Sequence, residues 1–469
     1  MSGSARHATP GGDTVTQTRS AGLGATASFQ DTAVREPDAP GPDGSAPTGR
    51  RAPRRETTIV VLCVAALVAH VLDDNFVQPE PGTAAGDHLV SGLVPVLLLA
   101  ATMVVYVRLR AGLRAIVAMT LGGLGVVTGT PAAYYQRQGA MEGDHYTGLL
   151  ALVVGVTLLL AGPVILWRNR RSGGTRRQRY LRRSAIAAGA PVLAVAIGWF
   201  VVFPVGLGYI YTHTAPQPEE PHLGVPYEAV TVTTGDGLEL TASYVPSRNR
   251  AAILLYPGAS RTDEARMLLA HGYGVLLLDP RGQGGSDGDT VRWAGDEDLL
   301  AAAAYLQRRP DVDADRVGAI GFSIGGEMLL RAAAESDTIQ AVVSEGAGDR
   351  VGETDVSGIL RVLVDPSQAV MTAATTVFSN HLPPAPIVDR IGGIAPRPVL
   401  LIYADPGIGG ESTSQPGYFA AAGEPKTIWK VPGSDHTGGI DAQPFEYEQR
   451  VTAFFDAALL DANHPPERS

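Results

Sequence analysis

The chain has 469 residues, 45% hydrophobic and only 18% charged, with a formal net charge of −10. That length predicts two or three folding units, that apolarity predicts membrane segments, and the negative balance gives no reason to expect nucleic acid as a partner. One cysteine, Cys63, lies inside an apolar run, which excludes an internal disulfide, a cysteine-held zinc and a thiol nucleophile among the later motifs.

Residues 1–56 are rich in Gly, Ser, Thr, Pro and Asp without apolar periodicity, so they cannot bury enough surface to offset ordering and read as a disordered tail. A transmembrane region is predicted over 57–211, with five apolar runs at 57–72, 88–107, 115–134, 146–167 and 185–209. The second, fourth and fifth are long enough to cross about 30 Å of hydrocarbon at about 1.5 Å per residue. The first is short and the third is glycine-rich. "GGLGVVTG" in the third is no dinucleotide fingerprint, since no acid follows it; close helix packing through small residues explains it better.

The loops supply a separate test. Arginines cluster before the first run, between the second and third, and in "RNRRSGGTRRQRYLRR", which holds eight; the other two loops hold one between them. Arginine-rich loops alternating with arginine-poor ones is the positive-inside pattern of real spans. It predicts an internal tail, five crossings and an external C-terminal region, in a bacterial cytoplasmic membrane.

A Pro-rich, acidic linker over 212–224 leads into a domain predicted for 225–469. "EAVTVTTGDGLELTASYV" reads as a hairpin turning at Gly235-Asp236-Gly237. "AAILLYPG" and "GVLLLDPRG" read as buried strands, and "DEDLLAAAAYLQRR" as a helix with acids first and arginines last. The strands "RVGAIGF", "IQAVVSEG", "PVLLIYAD" and "KTIWKVPG" follow, then a last helix. Strands alternating with helices predict an α/β fold, a mostly parallel sheet with helices on both faces.

The chemistry centres on "VGAIGFSIGGEMLL" (317–330). Gly321-Phe322-Ser323-Ile324-Gly325 sits where a buried strand meets a helix, the context of a nucleophile elbow. The serine is held in a strained conformation, and Gly321 and Gly325 avoid collision with the neighbouring strand and helix. The helix N-terminus behind Ser323 favours developing negative charge.

With "LLYPGAS" (254–260), "DPRGQGGSDG" (279–288) and "VPGSDHTGG" (431–439), this elbow resembles the α/β-hydrolase family over about 225–460. Tyr256 and Gln283 stand where that family often has histidine. The resemblance implies the chain order serine, acid, histidine, hence Ser323 as nucleophile and His436 as general base. His381 and His464 are the other histidines after the elbow. For the acid, the resemblance puts Gly407 where Asp is common; Glu411 and Asp405 are the candidates, with Asp349 and Glu345 as further options. The oxyanion hole is expected from the backbone amides of Ile324 and of Gly258 or Ala259.

No metal or cofactor is expected, because no His/Asp/Glu cluster has ligand spacing. The implied activity is a membrane-anchored serine hydrolase acting on a small-molecule or lipid-like ester or thioester, with amide cleavage open. The alternative is a non-catalytic receptor or scaffold that keeps the fold as a binding module; a transporter fits less well, since the spans hold few ionisable residues. The apolar insertion 355–380 lies where the family often carries a cap, and packing on the sheet would explain it nearly as well.

Overall fold

The computed structural model describes residues 54–139, 143–169, 173–214, 220–258, 260–290, 293–348, 358–405, 407 and 410–461. The tail expected over 1–56 lies almost wholly outside the described residues, as do Ala259, Asp349, His464 and 215–219 of the linker.

The N-terminal half is helical: α1 (Arg54–Leu72), α2 (Leu89–Tyr106), α3 (Ala111–Thr128), α4 (Thr130–Gln138), α5 (His145–Arg168), α6 (Arg176–Ile197) and α7 (Phe203–His213). A wide turn, Asp73–Val77, prolongs α1. Another, Gly198–Val202, joins α6 to α7 just before Pro204, which has no N–H to continue the regular ladder. Five segments are therefore long and apolar enough to cross a membrane: Arg54–Val77, Leu89–Tyr106, Ala111–Arg137, His145–Arg168 and Arg176–His213.

Glycines bring α3 against α5. A Cβ on Gly122 would stand 2.6 Å from the Leu159 nitrogen, and one on Gly155 would stand 2.5 Å from the Val126 nitrogen. Such backbone contact is how helices associate where apolar surface gains nothing by leaving its solvent. At the arginine-rich end, buried Arg114 donates to Glu56 at 2.8 Å, and the Tyr106 hydroxyl donates to the same oxygen.

The C-terminal half is one eight-stranded sheet: β1 (Glu228–Thr233), β2 (Glu239–Val245), β3 (Ala252–Tyr256), β4 (Gly274–Leu278), β5 (Val317–Phe322), β6 (Ala341–Glu345), β7 (Val399–Ala404) and β8 (Lys426–Val431). Their spatial order is β1-β2-β4-β3-β5-β6-β7-β8; β2 is antiparallel to both neighbours and all later pairings are parallel. The hairpin turns where expected, with Thr233 opposite Glu239.

Around the sheet lie α8 (Thr262–Ala270), α9 (Asp296–Gln307), α10 (Ile324–Glu335), α11 (Arg361–Ser379), α12 (Glu411–Ala421), α13 (Gly439–Ala442) and α14 (Pro444–Phe455). Side chains alternate along each strand. Leu254 and Tyr256 of β3 join the core under α9, α10 and α12, while Ile253 and Leu255 join the core under α8 and α14. This strand order with helices on both faces is the α/β-hydrolase fold.

One element departs from that plan. Helix α11, in the connection from β6 to β7, does not lie on the sheet as the packing alternative expected. It packs on α2, α7 and the 198–202 turn.

Candidate active site

The elbow follows from three neighbouring constraints. Strand β5 is buried at every position and ends at Phe322; α10 begins at Ile324. Ser323 between them has φ 53° and ψ −118°, a left-handed conformation that costs a non-glycine residue on the order of 1–3 kcal/mol. It is pinned there because its N–H donates to the Glu345 carbonyl at 2.8 Å, while its own carbonyl accepts from Gly326 and Glu327. Glycine is obligatory on both sides: a Cβ on Gly321 would lie 2.5 Å from the Gly325 oxygen, and one on Gly325 would lie 2.4 Å from the Tyr256 oxygen.

His436 comes from the loop after β8. Its Nε2 is 2.9 Å from Ser323 Oγ, and its Nδ1 is 2.7 Å from Glu411 Oε1. Glu411 is the first residue of α12 and has no exposed side-chain surface. Its other oxygen accepts the Ala404 N–H at 3.1 Å, which fixes the carboxylate from the end of β7. Gly407 explains how a residue further along the chain reaches this place. A Cβ there would sit 2.3 Å from Glu411 Cγ and 2.5 Å from Oε1, so the glutamate fills the volume that a side chain at 407 would need.

Asp405 is elsewhere: it pairs with Lys430 across β7 and β8, partly exposed. Glu345 does not hold the imidazole either. Its oxygens accept the Gly439 N–H at 2.9 Å and the Tyr447 hydroxyl at 2.7 Å, so it braces the chain just past His436 from below. Burial pushes its carboxyl up to about 7, against the pull of those two donors. His381 lies at the end of α11, its Nδ1 2.6 Å from the Ser379 carbonyl.

The expected oxyanion donors divide three ways. Ile324 is the first residue of α10, where an amide has no acceptor within its own helix. Gly258 is a correction: its N–H already donates to the Leu278 carbonyl at 2.8 Å, so β4 has taken it. Ala259 lies outside the described residues.

Arg261 is the residue that motif reading missed. Its guanidinium lies 4.0 Å from the Phe322 ring centroid and donates to the Thr437 hydroxyl at 3.0 Å and the Thr437 carbonyl at 3.3 Å. It thereby ties the loop after β3 to the histidine loop. No signal marked it, since its partner is 176 residues away. The motif at 279–288 is structural here: buried Arg281 donates to Asp298 at 2.9 Å and to Asp236 at 2.9 Å, anchoring the loop after β4 to α9 and to the β1–β2 turn.

A serine hydroxyl, an imidazole and a buried carboxylate in line can pass the hydroxyl proton to the ring and stabilise the cation that results. Residues 211–386 match the model of the X-Pro dipeptidyl-peptidase (S15) family, a stretch that holds Ser323 and ends before Glu411 and His436. Uncharacterized protein PA2218 of Pseudomonas aeruginosa is 25% identical over 400 residues, covering 69% of this chain and 96% of its own. Polyketide transferase grgF of a Penicillium species is 32% identical over 131 residues, 26% of this chain and 45% of its own. The structure of the Pyrococcus furiosus esterase Pf2001 overlies 52% of this chain and 99% of its own, with a TM-score of 0.43 at 20% identity. The chain has an α/β-hydrolase fold, and its Ser323–His436–Glu411 arrangement is that of a serine hydrolase.

Proposed function

We propose that this protein is a membrane-anchored serine hydrolase that cleaves an ester or thioester through an acyl-enzyme on Ser323. The observation that carries this is the line from Ser323 Oγ to His436 Nε2 and from His436 Nδ1 to Glu411. In this reading Ser323 Oγ attacks the carbonyl carbon while its proton passes to His436 Nε2. Glu411 balances the imidazolium. The Ile324 amide stabilises the oxyanion, a donor worth about 3–4 kcal/mol. The alcohol or thiol leaves with the proton from His436. Water, deprotonated by the same ring, then attacks the acyl group, and the proton returns to Ser323.

A glycine where the family often has Asp would favour a binding-only role, and Glu411 filling the volume at 407 beside His436 weakens that reading. Amide cleavage stays the alternative chemistry, because the matching family is described as a dipeptidyl-peptidase. The arginine alternation further supports a catalytic domain outside a bacterial cytoplasmic membrane.

The test is fluorophosphonate labelling of membranes holding the full chain, followed by turnover of a p-nitrophenyl ester, a thioester and an X-Pro anilide. Wild type should take the label and Ser323→Ala should not; ester or thioester turnover should exceed anilide turnover. Labelling that survives in Ser323→Ala would sink the nucleophile assignment. A protease added to intact spheroplasts should remove the region after about residue 212; its protection would overturn the orientation.

A further inference from the structure

Helix α11 belongs by chain position to the catalytic domain and by packing to the helical half. Its contacts step backwards along the last apolar segment. Phe378 meets Tyr209 edge-on at 5.3 Å and lies 6.1 Å from His213. Ala374 and Thr375 pack where a Cβ on Gly208 would be 3.0–3.1 Å away. Ser367 Oγ donates to the Trp199 carbonyl at 3.0 Å, and the Trp199 indole donates to the Leu363 carbonyl at 2.9 Å. The two helices therefore run antiparallel over most of α11.

Polar groups mark where this pairing begins. At one end of the bundle, His213 lies 3.2 Å from Asp74, Thr147 donates to Asp73 at 2.8 Å, and Asn380 accepts the Ser91 N–H at 3.1 Å. These residues stand at the ends of the apolar segments, where the polar boundary must lie. Trp199 is fourteen residues before His213, about 21 Å along the helix at about 1.5 Å per residue. That is deep within a hydrocarbon layer of about 30 Å.

The far end of α11 is dressed for that depth. Leu360, Val362 and Leu363 are exposed, Val362 by 68%, and they continue the exposed apolar surface of Trp199 and Phe203. The residues turned inward are Ser367, Thr375 and Ser379, small groups that let helices approach closely. Arg361 and Asp365 pair at 3.1 Å. Charges facing hydrocarbon are found paired in this way.

The active site lies beside the start of the connection that leads into α11. Ser323, Glu411 and His436 all follow the C-terminal ends of strands, and so does the start of the connection to α11. Its first residue, Gly346, would place a Cβ 3.0 Å from the His436 ring. The loop after β4 also reaches the helical half, where the Gly288 N–H donates to the Pro81 carbonyl at 2.8 Å.

We propose that α11 is a re-entrant membrane helix, and that the site beside the start of its connection from β6 takes its substrate from the lipid leaflet, as a bilayer-resident acyl ester. The proposal rests on Ser323 acting as the nucleophile. The acyl chain would pass to Ser323 Oγ, the alcohol portion would leave with the proton from His436, and water would later release the fatty acid.

Two measurements on the full chain test it. In a Cys63→Ser background, single cysteines Val362→Cys and Asp263→Cys are labelled in membranes open on both sides. A charged, water-soluble maleimide should react with Val362→Cys at least tenfold more slowly than with Asp263→Cys, and a lipid-soluble maleimide should label Val362→Cys readily. Equal rates with the water-soluble reagent would overturn the re-entrant helix. Second, hydrolysis of a long-chain fluorogenic acylglycerol in phosphatidylcholine vesicles is compared with that of a soluble acetate ester. Leu363→Asp, and the milder Val362→Ser should the first not fold, should lower the vesicle-to-soluble ratio of kcat/KM, at least tenfold for the aspartate. An unchanged ratio would overturn the lipid route. Absence of any fluorophosphonate label on wild type would instead remove the hydrolase reading, while the cysteine rates would still decide where α11 lies.

Discussion

The helical half and the sheet half differ in what they leave outside. Strands β3, β4, β5 and β6 are buried at every position, and the large apolar side chains of the sheet fill its two cores. In the helices Leu97, Val153 and Leu160 stand outside, while His70, Asn75 and Arg114 are inside. The sheet is organised by expulsion of apolar surface from water. The helices combine a smaller apolar core around Val60, Leu67 and Leu158 with close backbone approach and a few polar pairs. On the proposed membrane anchoring, the difference follows the solvent of each half, and α11 falls with the helices despite its place in the chain.

The largest expected effect sharpens the sheet side, where function hangs on a few buried polar contacts. Glu411→Gln should lower kcat by about 10³–10⁴ with KM nearly unchanged, as for an acid that orients and balances an imidazolium. Gly407→Ala should mimic part of this loss, because its new Cβ would displace the Glu411 side chain. Melting curves for both variants separate lost chemistry from lost fold.

Next, the solvent argument itself can be broken. Leu97→Asp, at a 65% exposed site on α2, should destabilise the protein in bicelles by about 2–3 kcal/mol. Phe445→Asp, at an 88% exposed site on α14, should stay within about 0.5 kcal/mol. Equal tolerance at both sites in chemical denaturation would mean that the two halves face the same solvent.

A smaller effect reports on the buried brace beneath the histidine loop. Burial raises the Glu345 carboxyl from 4.5 to about 7, so between these values the folded chain holds a proton that the unfolded chain has released. Stability from this group is therefore greatest below pH 4.5, falls as pH rises to about 7, and is flat above. Asp296, raised to about 6 by burial, acts in the same sense and remains in any variant. Glu345→Gln should flatten the decline of Tm over that window; an unchanged slope would place the linkage elsewhere. The smallest effect belongs to Asp405→Asn, which removes only a partly exposed pair with Lys430 and should change kcat less than about threefold. A large kinetic loss in a well-folded Asp405→Asn would move the acid there.

Much of this architecture is legible in the residues. The five apolar runs correspond to the five long helices, because length and composition alone decide that a segment can cross hydrocarbon. The elbow is legible because glycine is the only residue that its two crowded positions admit. Glu411 and Asp405 could not be separated, since both follow β7. What separates them is the backbone path: Gly407 at φ +27° and Gly410 at φ +83° turn the chain so that α12 begins with its carboxylate facing back. The loss of Gly258 to Leu278 was invisible for a related reason, because which amide a neighbouring strand takes depends on register. The insertion at 355–380 was read as a cap or as packing on the sheet. Apolar periodicity states that a helix has a neighbour and leaves open which one.

Ser91 and Asn380, joined by hydrogen bonds, are 289 residues apart, and Trp199 is tied to Leu363 across 164. Contacts of such separation form late, because chain closure must precede any reward. During synthesis α11 emerges after β6 and before β7 and β8, the strands that lead to Glu411 and His436. The residues of α11 are thus made between the two halves of the catalytic sheet. A ribosome-bound chain carries its nucleophile for some ninety residues of elongation before Glu411, and longer before its histidine. In that interval the helices that α11 packs on have all been synthesised. The three residues of the site are therefore complete only after every residue that joins α11 to the helices has been made.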